Sequence, residues 1–102
     1  MTSFHVYILR CWDGSYYVGH TDNLESRIGA HQAGLFAGYT AKRTPVRLEF
    51  TAEFPTRIEA LERERQIKGW TRRKKKALIQ RDWDLLRQLS KTGSSTSSPR
   101  TG

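Results

Sequence analysis

The chain has 102 residues, with 18 Lys and Arg against 10 Asp and Glu, giving a net charge of +8 and an isoelectric point near 10.2. That length predicts one domain; the single cysteine, Cys11, excludes an internal disulfide or a thiolate zinc cluster within one chain; and no apolar run approaches the ~18 residues of a membrane span. The charge favours a polyanionic partner, nucleic acid above all, and a reducing, cytoplasmic location is expected because the N-terminus lacks a basic-then-apolar leader.

Phe4 to Trp12 alternates as a strand, with Phe4, Val6 and Ile8 on one face and His5, Tyr7, Leu9 and Cys11 on the other. Tyr16 to His20 is the return strand, and the Asp13-Gly14 pair between them is a hairpin signal. Parity then matters. A two-residue loop would pair Arg10 with Tyr17 and send Tyr7 and Tyr17 to opposite faces. A three-residue loop with Gly14 in the left-handed region puts both phenols on one face, and this odd loop is the expectation.

Asp22, followed by Glu25, reads as a helix N-cap with its capping box, opening a helix over about 23–33 that Gly34 ends. Leu24, Ile28 and Leu35 form its apolar stripe, with His31 inside the stripe and Arg27 on its edge. Residues four apart on a helix are neighbours, so Arg27 and His31 face one place. A histidine so placed is either a core imidazole bonded to a backbone carbonyl or a functional group.

The next stretch, FAGYTAKRTP over 36–45, reads as a basic loop. Tyr39, Lys42 and Arg43 are candidates for phosphate contact, with Tyr39 able to stack on a base; an ordinary surface loop is the alternative. Val46, Leu48, Phe50, Ala52 and Phe54 alternate with polar residues, which predicts a third strand with one covered face and one wet face.

Thr56-Arg57-Ile58-Glu59 is a capping box opening a second helix, on which Ala60, Leu61 and Ile67 share an arc with Glu64 near its middle. An inward carboxylate is costly unless paired or bound to a metal. A salt bridge to a basic residue of another element is therefore the structural alternative to a metal site. Thr71 is expected to cap a third helix that carries Arg72, Arg73, Lys74, Lys75 and Lys76. Cations in first turns oppose the helix dipole by about 0.3–1 kcal/mol each, so this run points to phosphate contact, with a solvated face as the alternative. Lys68 is counted with these candidate nucleic-acid contacts. Asp82 caps a short last helix with Leu85, Leu86 and Leu89 inward, and Trp70 and Trp83 are expected to close core edges. Ser, Thr, Gly and Pro dominate 90–102, read as a disordered tail, which leaves 1–89 as the folded domain.

The expected fold is α+β: a three-stranded antiparallel sheet flanked by helices, in the order β-β-α-β-α-α with a short C-terminal helix. The motif order resembles the GIY-YIG nuclease superfamily, in particular its small stand-alone bacterial members. The first triplet stands as His5-Val6-Tyr7 and the second as Tyr17-Val18-Gly19. The Arg-x-x-x-His of the following helix is Arg27 and His31, and the glutamate in an Ala-Leu-x-x-Glu context is Glu64. The likeness runs from about Val6 to about Ile79.

That resemblance implies a metal-dependent endonuclease acting on DNA. It implies Tyr17 as general base, Glu64 holding a divalent cation such as Mg²⁺ or Mn²⁺, and Arg27 on the phosphate. Tyr7 and His31 are implied around the water and the base. Gly19 allows close backbone approach beside the site. A free tyrosine has a pKa near ~10, so a phenol needs help worth about 4 kcal/mol to fall three units, unless the proton passes on during attack. The chain departs from the superfamily in two places. His5 stands where the first triplet begins with Gly. The Lys74-Lys75-Lys76 run occupies the region where many members carry an asparagine, which bears on the substrate channel.

Recognition of DNA shape, with a possible protein partner supplying specificity, is expected of so small a domain. Two competing readings are a non-catalytic basic nucleic-acid-binding module and a small adaptor whose basic helix docks an acidic protein.

Overall fold

The centre of the fold is β1, Phe4–Cys11, paired antiparallel on one side with β2, Tyr16–Thr21, and on the other with β3, Val46–Phe54. The computed structural model describes residues 3–35, 40 and 42–94. Between β2 and β3 comes α1, Leu24–Gln32, and after β3 come α2, Arg57–Lys68, α3, Arg72–Ile79, and α4, Trp83–Ser94. This is the α+β order expected from the sequence, except that the last helix is not short: its 12 residues equal α2 and run to Ser94, past position 89. Residues up to Gly69 form one compact unit and those from Trp70 a second, a division the sequence reading did not place. Among the described residues no helix is long and apolar enough to cross a membrane.

Register settles the hairpin. Arg10 lies opposite Tyr16 and Leu9 opposite Tyr17. Cys11 N–H donates to the Ser15 carbonyl at 2.9 Å, and Gly14 N–H to the Cys11 carbonyl at 2.9 Å. The loop is therefore Trp12-Asp13-Gly14, the odd loop, with Gly14 at φ 85, which costs a glycine nothing. The Asp13 carboxylate accepts from the Ser15 hydroxyl and backbone N–H and from Arg43 Nε at 3.0 Å, bonds that hold its pKa below the usual range. Directly opposed residues share a face, so Tyr7, Leu9, Tyr17 and Gly19 lie together, and Val6, Ile8, Val18 and His20 lie on the other side.

Both faces of β1 are covered. Val6, Tyr7, Ile8 and Leu9 are all fully or almost fully buried. On the Tyr7 face a cluster of Tyr7, Leu9, Cys11 and Val46 receives Leu24 and Ile28 of α1. On the opposite face lies α2, whose Arg57 guanidinium sits 4.8 Å from the Phe4 ring centre and whose Glu64 meets His20.

The clean alternation of β3 misleads. The β1–β3 register shifts by one at Ile8/Leu9, where Phe50 opposes Ile8 but Leu48 opposes Leu9. This bulge moves the apolar set across the sheet. Val46 and Leu48 lie on the Tyr7 face, whereas Phe50, Ala52 and Phe54 lie on the α2 face. Leu48 is correspondingly 37% exposed.

The helix ends follow from local hydrogen bonding. Asn23, not Asp22, caps α1, its side chain accepting from Ser26 N–H at 3.1 Å. Thr21 Oγ1 accepts from Asn23 N–H and sets that geometry, while Asp22 pairs with Arg57. At the other end Gly34 N–H bonds to the His31 carbonyl and Leu35 N–H to that of Ala30, a Schellman closure with Gly34 at φ 70. Leu35, expected on the apolar stripe, is 74% exposed beyond this closure. Thr56, Thr71 and Asp82 cap α2, α3 and α4 as expected. The Gln32 amide bonds both backbone groups of Val46, tying the end of α1 to the start of β3.

Candidate active site

Three rings from three elements converge on one side of the sheet. Tyr7 of β1, Tyr17 of β2 and His31 of α1 have ring centroids 6.4 Å (Tyr7–Tyr17), 6.0 Å (Tyr7–His31) and 5.0 Å (Tyr17–His31) apart. Gly19 makes this possible. A Cβ built there would lie 2.5 Å from the Tyr7 hydroxyl oxygen, 2.7 Å from Tyr7 Cζ and 3.2 Å from Tyr17 Cε2. The Tyr7 ring therefore lies across bare backbone.

The Tyr7 hydroxyl is 3.1 Å from His31 Nε2, and His31 Nδ1 is 2.7 Å from Thr40 Oγ1. Tyr7, His31 and Thr40 are all at most 2% exposed. Burial pushes the Tyr7 phenol well up, with the Tyr17 and Glu64 charges adding to the rise and Arg27 opposing it. Burial, then the Arg27 charge, pushes the His31 imidazole down. Both groups are thus neutral near pH 7, and two tautomers satisfy the chain: the Tyr7 O–H donates to Nε2 while Nδ1–H donates to Thr40, or Nε2–H donates to the Tyr7 oxygen while the Thr40 O–H donates to Nδ1. Both ring nitrogens of His31 meet side-chain hydroxyls, those of Tyr7 and Thr40. Thr40 was invisible in the sequence, one polar residue in a polar loop.

A lowered histidine pKa has a consequence for stability. Between the folded value and the ordinary 6.5, the unfolded chain binds more protons, so stability rises with pH across that window. His31 therefore stabilises fully above about pH 6.5, and that contribution is lost as pH falls below it. Glu64, also lowered, adds a separate loss beginning below about 4.5. Thermal unfolding across pH should show the first limb in the wild type and a flattened one in His31→Gln; an unchanged limb would mean that His31 is not buried neutral.

Arg27 is half-buried on α1 and lines a shallow pocket of about 240 Å³ with Thr21, Asn23 and Ser26. Its charge is felt at both Tyr7 and His31. Glu64, 7% exposed, is felt at Tyr7 as well, but its carboxylate is held from the α2 side. Its Oε1 lies 2.5 Å from His20 Nδ1 and its Oε2 2.8 Å from Lys68 Nζ. Burial raises its pKa, but hydrogen bonds from Lys68 and His20 outweigh this and hold it below the ordinary range. The inward acid is thus paired, with its own i+4 lysine and a β2 histidine. The lysine was legible from helical spacing. The histidine was not, because the phase of α2 against the sheet is a tertiary matter. Among the described residues no group of three His, Cys, Asp or Glu could hold a metal.

The candidate nucleic-acid contacts are dispersed. Tyr39 lies outside the described residues. Lys42 is exposed, Arg43 is ion-paired with Asp13, and Lys68 is on Glu64. Arg72, Arg73 and Lys76 are exposed on α3, in the second unit. Lys74 sits 4.3 Å from the Trp70 ring centre, and burial lowers the pKa of Lys74 and Lys75, with Arg72 adding at Lys75. Two of the five cations are therefore packed rather than fully solvated.

Known proteins resemble this chain in sequence and fold. The sequence signature of the GIY-YIG catalytic domain matches residues 3–77. The UPF0213 protein of Halobacterium salinarum is 46% identical over 75 residues, covering 74% of this chain and 97% of its own length. That of Staphylococcus haemolyticus is 42% identical over 80 residues, covering 78% and 98%. The solution NMR structure of a Bacillus halodurans UPF0213 protein shares 44% identity and a TM-score of 0.51, covering 76% of this chain and 83% of that one. An E. faecalis protein solved by NMR shares 40% identity and a TM-score of 0.56, covering 78% and 85%. With its two motif tyrosines packed at a tilt beside His31 on a matching fold, this chain belongs to the GIY-YIG family of nuclease domains, alongside the small UPF0213 proteins.

Proposed function

We propose that this protein is a metal-dependent endonuclease that hydrolyses DNA phosphodiester bonds, with Tyr17 as general base, reading DNA structure rather than sequence in repair or recombination. The observation that carries the reading is the convergence at Tyr7: two motif rings lie within 6.4 Å of it, and the charges of Arg27 and Glu64 both act on its phenol. Tyr7 is unsuited to be the base, because its hydroxyl is already bonded to His31 and burial disfavours loss of its proton. Tyr17 is half-buried, far less enclosed than Tyr7. It takes a proton from the attacking water while passing its own to solvent, which needs no resting phenolate. As the water oxygen bonds to phosphorus, the bond to the leaving oxygen breaks, that oxygen takes a proton from solvent, and the Arg27 guanidinium stabilises charge on the phosphoryl oxygens. Neutral His31 fixes the Tyr7 ring, and Tyr7 in turn packs over Gly19 beside Tyr17.

Glu64 fits a divalent cation. Its carboxylate is ionised, a hard oxygen donor, and the partner of Oε2 is a lysine side chain 52% exposed that can swing away. Glu64 would hold such a cation, which when bound would supply charge neutralisation at the phosphate.

The second reading, a non-catalytic nucleic-acid-binding domain, is favoured by one observation: both oxygens of Glu64 already have basic partners. Incubating the protein with branched, nicked and single-stranded DNA in Mg²⁺ separates the two. The nuclease reading expects product from at least one substrate, abolished by chelation with no change in thermal stability. Salt-sensitive binding with no product from any substrate would establish the second reading instead.

A further inference from the structure

We propose that Arg10, Trp12 and Arg47 form a second nucleic-acid contact at the hairpin end of the sheet, a seat for a single-stranded segment flanking the bond under attack. The inference rests on the nuclease reading for what lies next door, and on the β-bulge for its own geometry. The register shift at Ile8/Leu9 brings Arg47 directly opposite Arg10. Without it Arg10 would face residue 48. Like charges directly opposed across a ladder destabilise a sheet, so this pair calls for an anion. Arg47 has Glu49 at 3.1 Å, but its side chain is 73% exposed. Arg10 is exposed and makes no ion pair with any described residue.

Beside the two guanidiniums stands Trp12, 67% exposed, and together with Pro45 they line a groove of about 500 Å³. A single exposed apolar side chain is unremarked on most surfaces. This one is carried on a fixed frame. Trp12 N–H donates to the Arg43 carbonyl at 3.1 Å, and the Arg43–Asp13 ion pair ties the same loop to the turn. That first bond is from the backbone N–H; the indole N–H reaches the Lys42 carbonyl at 3.5 Å, which holds one edge of the ring while most of the residue stays exposed. A held aromatic face flanked by guanidiniums is how proteins bind single strands: bases stack on the ring and phosphates meet the cations. A duplex keeps its bases stacked on each other and has none to offer. Arg10 lies three residues along β1 from Tyr7, about 10 Å at ~3.3 Å per residue, and on the opposite face of the sheet, so a strand seated here reaches the Tyr7 and Tyr17 rings by passing round the hairpin end.

The test is binding of a fluorescent twelve-nucleotide oligo-dT without divalent metal, over a salt series. Wild type should bind it with quenched tryptophan fluorescence. Trp12→Ala should weaken binding about tenfold or more and abolish most of the quench, and Trp12→Phe should restore part of the affinity. An Arg10→Gln/Arg47→Gln double variant should lower the salt slope by about 1.4, two phosphates at ~0.7 each. A blunt duplex of equal length should show no dependence on Trp12. No binding by wild type, equal binding by Trp12→Ala, or displacement of the oligonucleotide by polyphosphate with no role for Trp12 would each overturn the proposal. Because no turnover is measured, a protein that binds oligo-dT through Trp12 yet cleaves nothing would keep this inference and lose the nuclease reading.

Discussion

Tyr17→Phe should lower the single-turnover cleavage rate about 10²- to 10⁴-fold, the usual worth of a positioned general base, while substrate binding and the melting temperature stay close to wild type. The ring remains, so its packing beside His31 and Tyr7 remains. The half-buried hydroxyl is what is lost. Tyr7→Phe makes the informative contrast. It strips His31 Nε2 of its hydroxyl partner in a site at most 2% exposed, so it should cost about 1–3 kcal/mol of stability, the desolvation penalty of an unpaired buried group. Its rate effect should be smaller than that of Tyr17→Phe, since it acts only through positioning. A reversal of that order, with Tyr7→Phe inactive and Tyr17→Phe active, would exchange the roles assigned to the two phenols.

Gly19→Ala should be nearly as damaging, for a reason that is purely steric. The new methyl would arrive 2.5 Å from the Tyr7 hydroxyl oxygen and 2.7 Å from Cζ, well inside contact distance. A flexible side-chain end would swing aside. The Tyr7 ring is 1% exposed, packed within the Leu9, Cys11 and Val46 cluster and tethered to His31, so it has little room. Overpacking of this kind costs about 1–3 kcal/mol. Displacing a ring of the site by ~1 Å costs on the order of 10²-fold in rate. Urea unfolding and single-turnover cleavage measure the two effects separately, and the His31 ring proton resonances should move in the variant. An unperturbed His31 with full activity would show that the backbone here, and not the ring, gives way.

Much of this was written in the sequence because it depends on short-range chemistry. The odd hairpin loop follows from Asp13-Gly14 and the requirement that Tyr7 and Tyr17 share a face. The caps at Thr56, Thr71 and Asp82 follow from one side chain and one backbone N–H three residues on. What failed was decided by contacts between elements. The cap of α1 moved from Asp22 to Asn23 because Thr21 folds back on Asn23 and Asp22 finds Arg57 on another helix. The β3 alternation looked like one buried face, but a bulge opposite Ile8/Leu9 splits it between two. Period-2 patterning cannot reveal a bulge whose apolar residues keep their parity. At the site, Tyr7, Tyr17 and His31 could be nominated by motif, yet Thr40 and His20, which hold His31 and Glu64, carry no signal of their own. The partner of a buried polar group is chosen by tertiary packing.

The central claim is that Glu64, though paired with Lys68 and His20, serves the chemistry and not merely the fold. Single-turnover cleavage of one substrate in Mg²⁺ by wild type and Glu64→Gln, with binding measured in parallel, tests it most directly. The expected result is product from wild type and almost none from the variant at equal occupancy of DNA. Equal rates from the two proteins would contradict it, and Glu64 would then be only a buried partner for two basic side chains.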